Sequence, residues 1–170
     1  MPTPMKESRR APGSEWLKDH PRLLELAYLL SKQLIALAYP LARRLAPRLA
    51  ERLMVRSEEL VKGYAFNCQM CGQCILHSTG MTCPMNCPKN LRNGPCGGVR
   101  ANGNCEVIPD MPCVWVQAWE RSQQMLIYPH EINVVQPPLN RALQGSSAWI
   151  NLLDGVDAQA PKGWVGPNRA

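Results

Sequence analysis

The sequence predicts a small protein of helical and irregular structure, in which an N-terminal helical arm precedes a loop-rich cysteine domain. Apolar residues recur at helical intervals over residues 19–63. All eight cysteines follow, in a stretch rich in Gly, Asn and Pro, which favours turns. Only 6% of the residues are aromatic, so a chain of 170 residues needs cross-links or a metal to hold its small core together.

Composition divides the chain into four segments. Residues 1–18 are polar and are predicted to be a flexible N-terminus, and residues 19–63 form the helical arm. Residues 64–128 form the Cys-rich domain, and residues 129–170 are predicted to be an extended, Pro-containing tail that wraps a surface or stays disordered. No apolar stretch follows the basic residues near the start, so we expect no secretory signal and a cytoplasmic location.

Prolines and capping residues predict where the helices of the arm begin and end. Asp19 is a candidate cap, and Pro21 suits a first helical turn. Pro40 is expected to end or kink this helix. Pro47 either interrupts a second helical run or opens it, and Ser57, followed by two glutamates, is typical of a further helix start.

Leucines and arginines follow neighbouring faces of the arm. Leucines recur every four residues at Leu45, Leu49 and Leu53. Arginines recur at the same interval at Arg44, Arg48, Arg52 and Arg56. The pattern fits a packed arm with a solvated arginine face, a partner-docking surface or a membrane-surface helix. Glu25 and Lys32 interrupt the apolar stretch before about 18 residues, so we expect no transmembrane span.

The cysteine spacing is C-x2-C-x2-C-x8-C-x3-C-x8-C-x8-C-x7-C. The cysteines are Cys68, Cys71, Cys74, Cys83, Cys87, Cys96, Cys105 and Cys113. Structural zinc usually takes two separated pairs, whereas three consecutive cysteines at x2 spacing open a ferredoxin-type site. Eight cysteines make two sets of four, which predicts two [4Fe–4S] clusters, with zinc in whole or part as the alternative. The domain is therefore expected to be metal-stapled and ferredoxin-like in ligation, though not necessarily in fold.

Other uses of the cysteines are less favoured. A disulfide framework is unexpected in a reducing cytosol. A catalytic thiol beside a base would not require seven companions. His77 and His130 are expected to be surface or core residues, because the cysteines already balance without them. The first three cysteines are expected to share one cluster, but the spacing leaves their fourth partner open.

Prolines and glycines around the cysteines support a cluster site. Pro84 and Pro88 directly follow Cys83 and Cys87, and a proline fixes the direction in which the chain leaves a ligand. The glycines around Cys96 let the backbone approach a cluster closely, and their amides can donate to sulfur. The candidate cofactor-binding glycines are Gly94, Gly97 and Gly98.

The run CGQCILHSTGMTCPMNCPKNLRNGPCGG, continued by GNCEVIPDMPCVWVQAW, resembles the cysteine-rich C-terminal module of bacterial and archaeal methylenetetrahydrofolate reductases. The resemblance covers roughly residues 64–122, and TCPMNCPK, NGPCGG and CVWV occur in order. In acetogenic bacteria the module also forms a small subunit beside a flavin-bearing barrel subunit. The resemblance implies that all eight cysteines are iron–sulfur ligands and that the module passes electrons toward the flavin.

The chain has no room for a (β/α)8 barrel of about 250 residues and no Gly-rich nucleotide loop in a strand–helix context. The resemblance therefore implies a subunit or accessory protein of an oxidoreductase in one-carbon metabolism. Its expected partners are a flavin-bearing methylenetetrahydrofolate reductase subunit and a ferredoxin or NADH-oxidising donor. The alternative is a zinc- or cluster-stabilised assembly module without redox activity. Two clusters would lower the formal net charge of +6 to about +2, so we expect no nucleic acid partner.

Overall fold

A computed structural model describes residues 19–159 and residue 161. Within these residues the chain forms four α-helices and no strand, with one isolated bridge between Asn104 and Pro112. The helices are α1 (Pro21–Leu45), α2 (Pro47–Phe66), α3 (Val114–Ser122) and α4 (Ala148–Leu153). The prediction of helices followed by a loop-rich cysteine region is confirmed, and metal stapling stays a prediction. The flexible N-terminus predicted for residues 1–18 lies outside the described residues.

Short 3-10 turns interrupt the loops between and after these helices. They lie at Leu76–Thr79, Pro84–Asn86, Glu131–Asn133 and Arg141–Leu143. None of the described helices is both long enough and apolar enough to cross a membrane.

Helix α1 begins at Pro21, as that proline predicts, but Asp19 is not its N-cap. Pro21 is in the first turn, but the N-cap is His20, whose side chain makes no capping bond, so the prediction of Asp19 as the cap is wrong. Helix α1 also continues through Pro40 to Leu45, so Pro40 does not end it. Proline removes one backbone donor, and the exposed helix tolerates that loss at this position.

The two arm helices are separated at Ala46. Its φ of −151° lies outside the helical region, because a residue before a proline disfavours that region. Pro47 then opens α2, which confirms one of the two predicted roles of this proline. The helix start predicted at Ser57 is wrong, since Ser57 lies inside α2 and its hydroxyl donates to the Met54 carbonyl at 2.9 Å.

A fully buried glutamate attaches α1 to the cysteine domain. The Glu25 carboxylate accepts hydrogen bonds from the backbone N–H groups of Leu126, Ile127 and Tyr128, at 2.8, 2.9 and 2.9 Å. These donors follow α3, where the chain turns away from the helix. Three charge-assisted bonds compensate for burying the carboxylate and fix the start of α1 against the domain.

A second buried glutamate attaches α2. Glu58 accepts from the Trp149 N–H at 3.1 Å and from the Ala148 N–H at 3.3 Å, and the Ser147 hydroxyl donates to the same carboxylate. Lys62, one turn later, donates to Glu58 at 2.7 Å. The start of α4 is therefore bonded to the middle of α2, although 89 residues separate Glu58 from Ser147.

The segment after residue 128, which was expected to be extended, contains α4 and covers the loop that carries the first cysteines. The Gly145 N–H donates to the Met70 carbonyl at 2.8 Å, and the Asn151 amide donates to the Gly72 carbonyl at 2.8 Å. Gln73 donates from its side chain to the Asp157 carbonyl at 2.7 Å. Hydrogen bonds to residues more than seventy positions later in the chain therefore hold the loop in place.

The buried core is divided into two small clusters beside the cysteines. The first contains Leu76, Met81, Cys83, Met85 and Met125. The second contains Cys113, Trp115 and Ala118. Cysteines belong to both clusters, so the thiols form part of the little apolar core that the described chain builds.

Candidate metal centre

Four cysteines line one cavity between α2 and the loops that follow it. They are Cys68, Cys71, Cys74 and Cys83. The loop after α2 carries the first three, and the Pro84–Asn86 turn begins directly after the fourth. Cys83 is therefore the residue that joins the C-x2-C-x2-C run in this structure, a choice that the spacing left open.

Burial raises the pKa of Cys68, Cys71 and Cys83. The pKa of Cys68 is raised to about 12, chiefly by burial. Desolvation disfavours the charged form of a thiol, so these side chains need a strong positive neighbour to become thiolates. A bound metal supplies that charge and deprotonates its thiol ligands.

Lys62 brings one buried positive charge to the wall of this cavity. It is 7% exposed, and its ammonium lies 4.7 Å from the centre of the Trp149 ring. Burial alone would lower the pKa of Lys62, but Cys74 and Glu58 together raise it above its ordinary value. The side chain therefore carries its charge at the cavity, where Glu58 neutralises it.

Arg92 brings a second buried charge to the same wall, and its hydrogen-bond partners are neutral. It donates to the Gln73 carbonyl from both terminal nitrogens at 3.1 Å and from Nε to the Pro137 carbonyl at 3.0 Å. Burial lowers the pKa of Arg92, and the thiols of Cys71 and Cys74 work in the opposite direction. A buried guanidinium beside thiols is what a negatively charged ligand cluster would require.

The four thiols fit the ligand set of an iron–sulfur cluster, but the cavity between them is too small to hold one. Four thiols match the ligand number of a [4Fe–4S] cluster, and the cluster with four thiolates carries about −2, which Arg92 and Lys62 face. The cavity volume is about 20 Å³, room for one water, so a cluster requires the thiols to move apart. Across residues 19–159, no group of three or more His, Cys, Asp or Glu side chains is placed to hold a metal ion.

The other four cysteines lie on the chain between residues 87 and 113. The Cys96 thiol is 3.6 Å from the carboxylate of Glu106, which pairs with Lys89. The Cys113 N–H donates to the Gly103 carbonyl at 3.0 Å, and the Cys105 N–H donates to the Met111 carbonyl at 2.9 Å. The backbone thus folds Cys105 and Cys113 into one loop, but the contacts do not assign these four thiols to a shared site.

The glycines predicted to contact a cofactor surround Cys96 but do not face the cavity of the first four thiols. Gly94 has a φ of +120°, a conformation that favours glycine. A Cβ atom at Gly94 or Gly97 would meet nothing within 4 Å, and one at Gly98 would meet the Glu106 side chain. The space around Gly94 and Gly97 is compatible with a cofactor approaching them, and their predicted role stays a prediction.

The aromatic and histidine side chains around the site have structural partners. Trp115 is buried, and its indole N–H donates to the Leu91 carbonyl at 3.3 Å, whereas Trp119 is 52% exposed. Trp115 therefore packs in the second buried cluster beside Cys113, while Trp119 lies at the surface. His77 lies 3.2 Å from the Glu131 carboxylate and 3.4 Å from the Tyr28 hydroxyl, in keeping with a structural role.

No pattern in the sequence singles out Arg92, Gln73 or the buried glutamates. Glu58 and Lys62 stand four residues apart on a helix, which predicts an ion pair but not its burial. Arg92 lies in a loop without periodicity, so nothing in its neighbours predicts that it reaches the cavity. Gln73 accepts from Arg92 and from the Asn140 N–H, contacts that depend on distant parts of the chain.

The fold and the thiol-lined cavity define a small helical module that carries a candidate metal site. The chain belongs to a family described as methylene-tetrahydrofolate reductase C terminal, whose model matches residues 48–141. The match begins in α2 and includes all eight cysteines, which confirms the family that the cysteine run suggested. Neither the curated proteins nor the solved structures gave a match to this chain.

Proposed function

We propose that this chain is an iron–sulfur subunit of a methylenetetrahydrofolate reductase that relays electrons to the flavin of a separate catalytic subunit. The family supports an association with such a reductase. The observation that carries the redox part is the cavity where four thiols meet two buried cations. With neutral thiols, Asp157 is the anionic neighbour that offsets the Arg92 charge, whereas a cluster held by thiolates would add negative charge directly beside it.

In this proposal Cys68, Cys71, Cys74 and Cys83 hold one [4Fe–4S] cluster, and the four later cysteines hold a second. The later cysteines are Cys87, Cys96, Cys105 and Cys113. When bound, each cluster would supply one-electron transfer, and two such electrons suffice to reduce a flavin. Zinc remains the alternative metal.

The residues around the first site would set its electrostatics and keep it dry. Arg92 places positive charge beside the thiols, which favours the more negative, reduced form of a bound group, whereas the charge of Lys62 is already paired with Glu58. Gln73 holds Arg92 in place through its carbonyl and is itself held by Asn140. The segment from residue 140 to residue 157 covers the loop and would exclude water.

Electron transfer to a flavoprotein tests this proposal directly. The chain is purified without oxygen, reduced with dithionite, freed of excess reductant and mixed in a stopped-flow instrument with the oxidised reductase subunit. We expect the flavin absorbance to bleach as the chain is reoxidised. A chain that takes up no electrons from dithionite, or a flavin that stays oxidised beside a reduced chain, contradicts the relay.

The second candidate is a structural or assembly module in which the metal only holds the loops together. The specific observation that favours it is the small thiol-rich core, because cysteines belong to both buried clusters. This module would bind the reductase and change its stability without being reduced. A colourless zinc form that still binds the flavoprotein would support it over the relay.

A further inference from the structure

The arm presents a long apolar surface to solvent. Twelve large apolar side chains on α1 and α2 are each at least half exposed, and we call them the arm face. They are Leu23, Leu26, Leu30, Leu34, Leu37, Leu41, Leu45, Leu49, Leu53, Leu60, Val61 and Tyr64. Other residues of α1, among them Leu24, Tyr28 and Ile35, line the groove between the two helices. Most leucines of the arm are therefore exposed and available to contact another molecule.

Basic side chains predominate among the exposed charges of the two arm helices, although Arg43 is paired with Asp154. The exposed cations of the two helices are Arg22, Lys32, Arg43, Arg44, Arg48, Arg52 and Arg56, whereas the exposed acids are Glu51 and Glu59. A complementary surface would therefore place carboxylates around an apolar centre. Residues 1–18 hold four basic and two acidic side chains, and residues 162–170 hold two basic ones, so neither end of the chain matches. A second copy of the chain would bring like-charged arms together.

We propose that the arm face docks the flavin-bearing reductase subunit, through a patch of that subunit in which acidic side chains surround apolar ones. This proposal rests on the proposed function and names the surface that would serve it. Twelve side chains exposed to this extent offer apolar area on the order of 1,000 Å², comparable with the ~800 Å² that each partner buries in a stable interface. A patch of this size on a single chain marks an interaction site.

The position of the arm relative to the thiols favours a protein partner over a lipid surface. The groove between α1 and α2 has a volume of about 680 Å³, and Tyr64, Val61 and Leu60 of the arm face also line it. Lys62 and Phe66 line both this groove and the thiol cavity. A partner that enters this groove would therefore be separated from the thiol cavity by the side chains that line both, which suits electron transfer.

Two leucines far from the cysteines provide the test. Leu37 and Leu41 are 81% and 63% exposed, so the double variant Leu37→Asp/Leu41→Asp removes apolar contact without opening the core. The matched control is the double variant Val134→Asp/Val135→Asp, because both valines are more than half exposed but lie outside the arm. Each protein is titrated against the purified reductase subunit by biolayer interferometry, at 50 mM and 300 mM salt, without oxygen. Circular dichroism checks that the variants keep their helices.

We expect Leu37→Asp/Leu41→Asp to bind at least tenfold more weakly and the Val134→Asp/Val135→Asp control to bind like the wild type. Wild-type affinity should also fall as salt rises, because basic charges predominate on the arm. Equal affinity of Leu37→Asp/Leu41→Asp and the wild type would overturn the docking proposal. The docking proposal would also be overturned if the wild-type chain did not bind the reductase subunit and instead dimerised through the arm or bound vesicles of 30% phosphatidylserine. The iron and sulfide content of the same samples tests the proposed relay separately.

Discussion

Cys83 completes the set of thiols around the cavity, and its replacement tests how the eight cysteines are divided. Cys83→Ser should lower the iron content from about eight to about four per chain, because one of two four-iron clusters loses a ligand. Cys113→Ser should remove the other cluster. Iron analysis and EPR of the reduced proteins should show a different surviving signal in each variant. Loss of all iron in both variants, or the same surviving signal, would contradict the division.

Arg92 tests whether buried charge tunes the first site. Arg92→Gln removes a positive charge beside Cys71 and Cys74, so the reduced cluster loses stabilisation and the reduction potential should fall. Each 1.4 kcal/mol of lost interaction corresponds to about 60 mV for one electron. Potentiometric titration followed by EPR measures the shift, and Arg100→Gln, on the exposed loop, is the control. An unchanged potential in Arg92→Gln with full iron content would refute this role.

His77 gives the folded protein a dependence on pH. Burial lowers its pKa below the ordinary value of 6.5, although the Glu131 carboxylate works in the opposite direction. The unfolded chain therefore binds more protons than the folded one just below pH 6.5, so this contribution to stability is complete above that value and declines as the pH falls through it. The charged or titratable groups around the ring are Tyr28, Lys32, Tyr128, Glu131 and Asp157.

The measurement is the midpoint of thermal unfolding at pH 7.5 and pH 5.5. The wild type should lose more stability between these values than His77→Gln, which cannot be protonated there. His20 and His130 are present in both proteins and provide the common background. An equal loss in the two proteins would show that His77 does not control the pH dependence.

At the scale of elements, the attachment of α1 depends on one carboxylate. Glu25→Ala would remove the buried carboxylate that accepts from three backbone N–H groups and should destabilise the protein by about 3–5 kcal/mol. Denaturant unfolding measures the loss, and hydrogen exchange should show α1 opening before α3. Glu51→Ala, on the exposed face of α2, should change stability by less than about 0.5 kcal/mol. Similar losses in the two variants would argue against the attachment.

Helical periodicity located the arm but not the direction in which it packs. The leucines that revealed α1 and α2 lie mostly on the exposed face, while a glutamate on each helix is buried. A helical pattern of apolar residues identifies an apolar face, but it does not show whether that face packs against the same chain or against another one. Glu25 and Glu58 were beyond sequence reasoning, because their partners lie 101 and 89 residues away.

The two prolines of the arm also show that a local signal does not by itself predict where a helix ends. Pro40 and Pro47 both carry the signal of a helix break, but only the second coincides with one, at Ala46. Helix α1 continues through the first proline, with the Glu25 contacts at its start and the Arg43–Asp154 ion pair near its end. The family was easier to predict, since the cysteine run is local in sequence and the matching family model covers it, whereas the ligand roles of the cysteines stay a prediction.

At the scale of the whole molecule, the arm and the cysteine domain are bonded into one structure through residues late in the chain. Segments near residue 126 and residue 147 bond to α1 and α2, and the segment from residue 140 to residue 157 covers the thiol loop. A partner bound to the arm would therefore contact helices that are hydrogen-bonded to the domain with the candidate metal site. This arrangement suits a subunit that must present a redox group to another protein.

The most direct test of the account is the metal content of the whole chain, purified without oxygen, together with its absorption and EPR spectra. We expect about eight iron and eight sulfide per chain, a broad absorption band that bleaches on reduction, and EPR signals from reduced [4Fe–4S] clusters. One or two zinc ions per chain, with no colour and no reducible signal, would contradict the electron relay and identify the cysteine domain as a structural metal site.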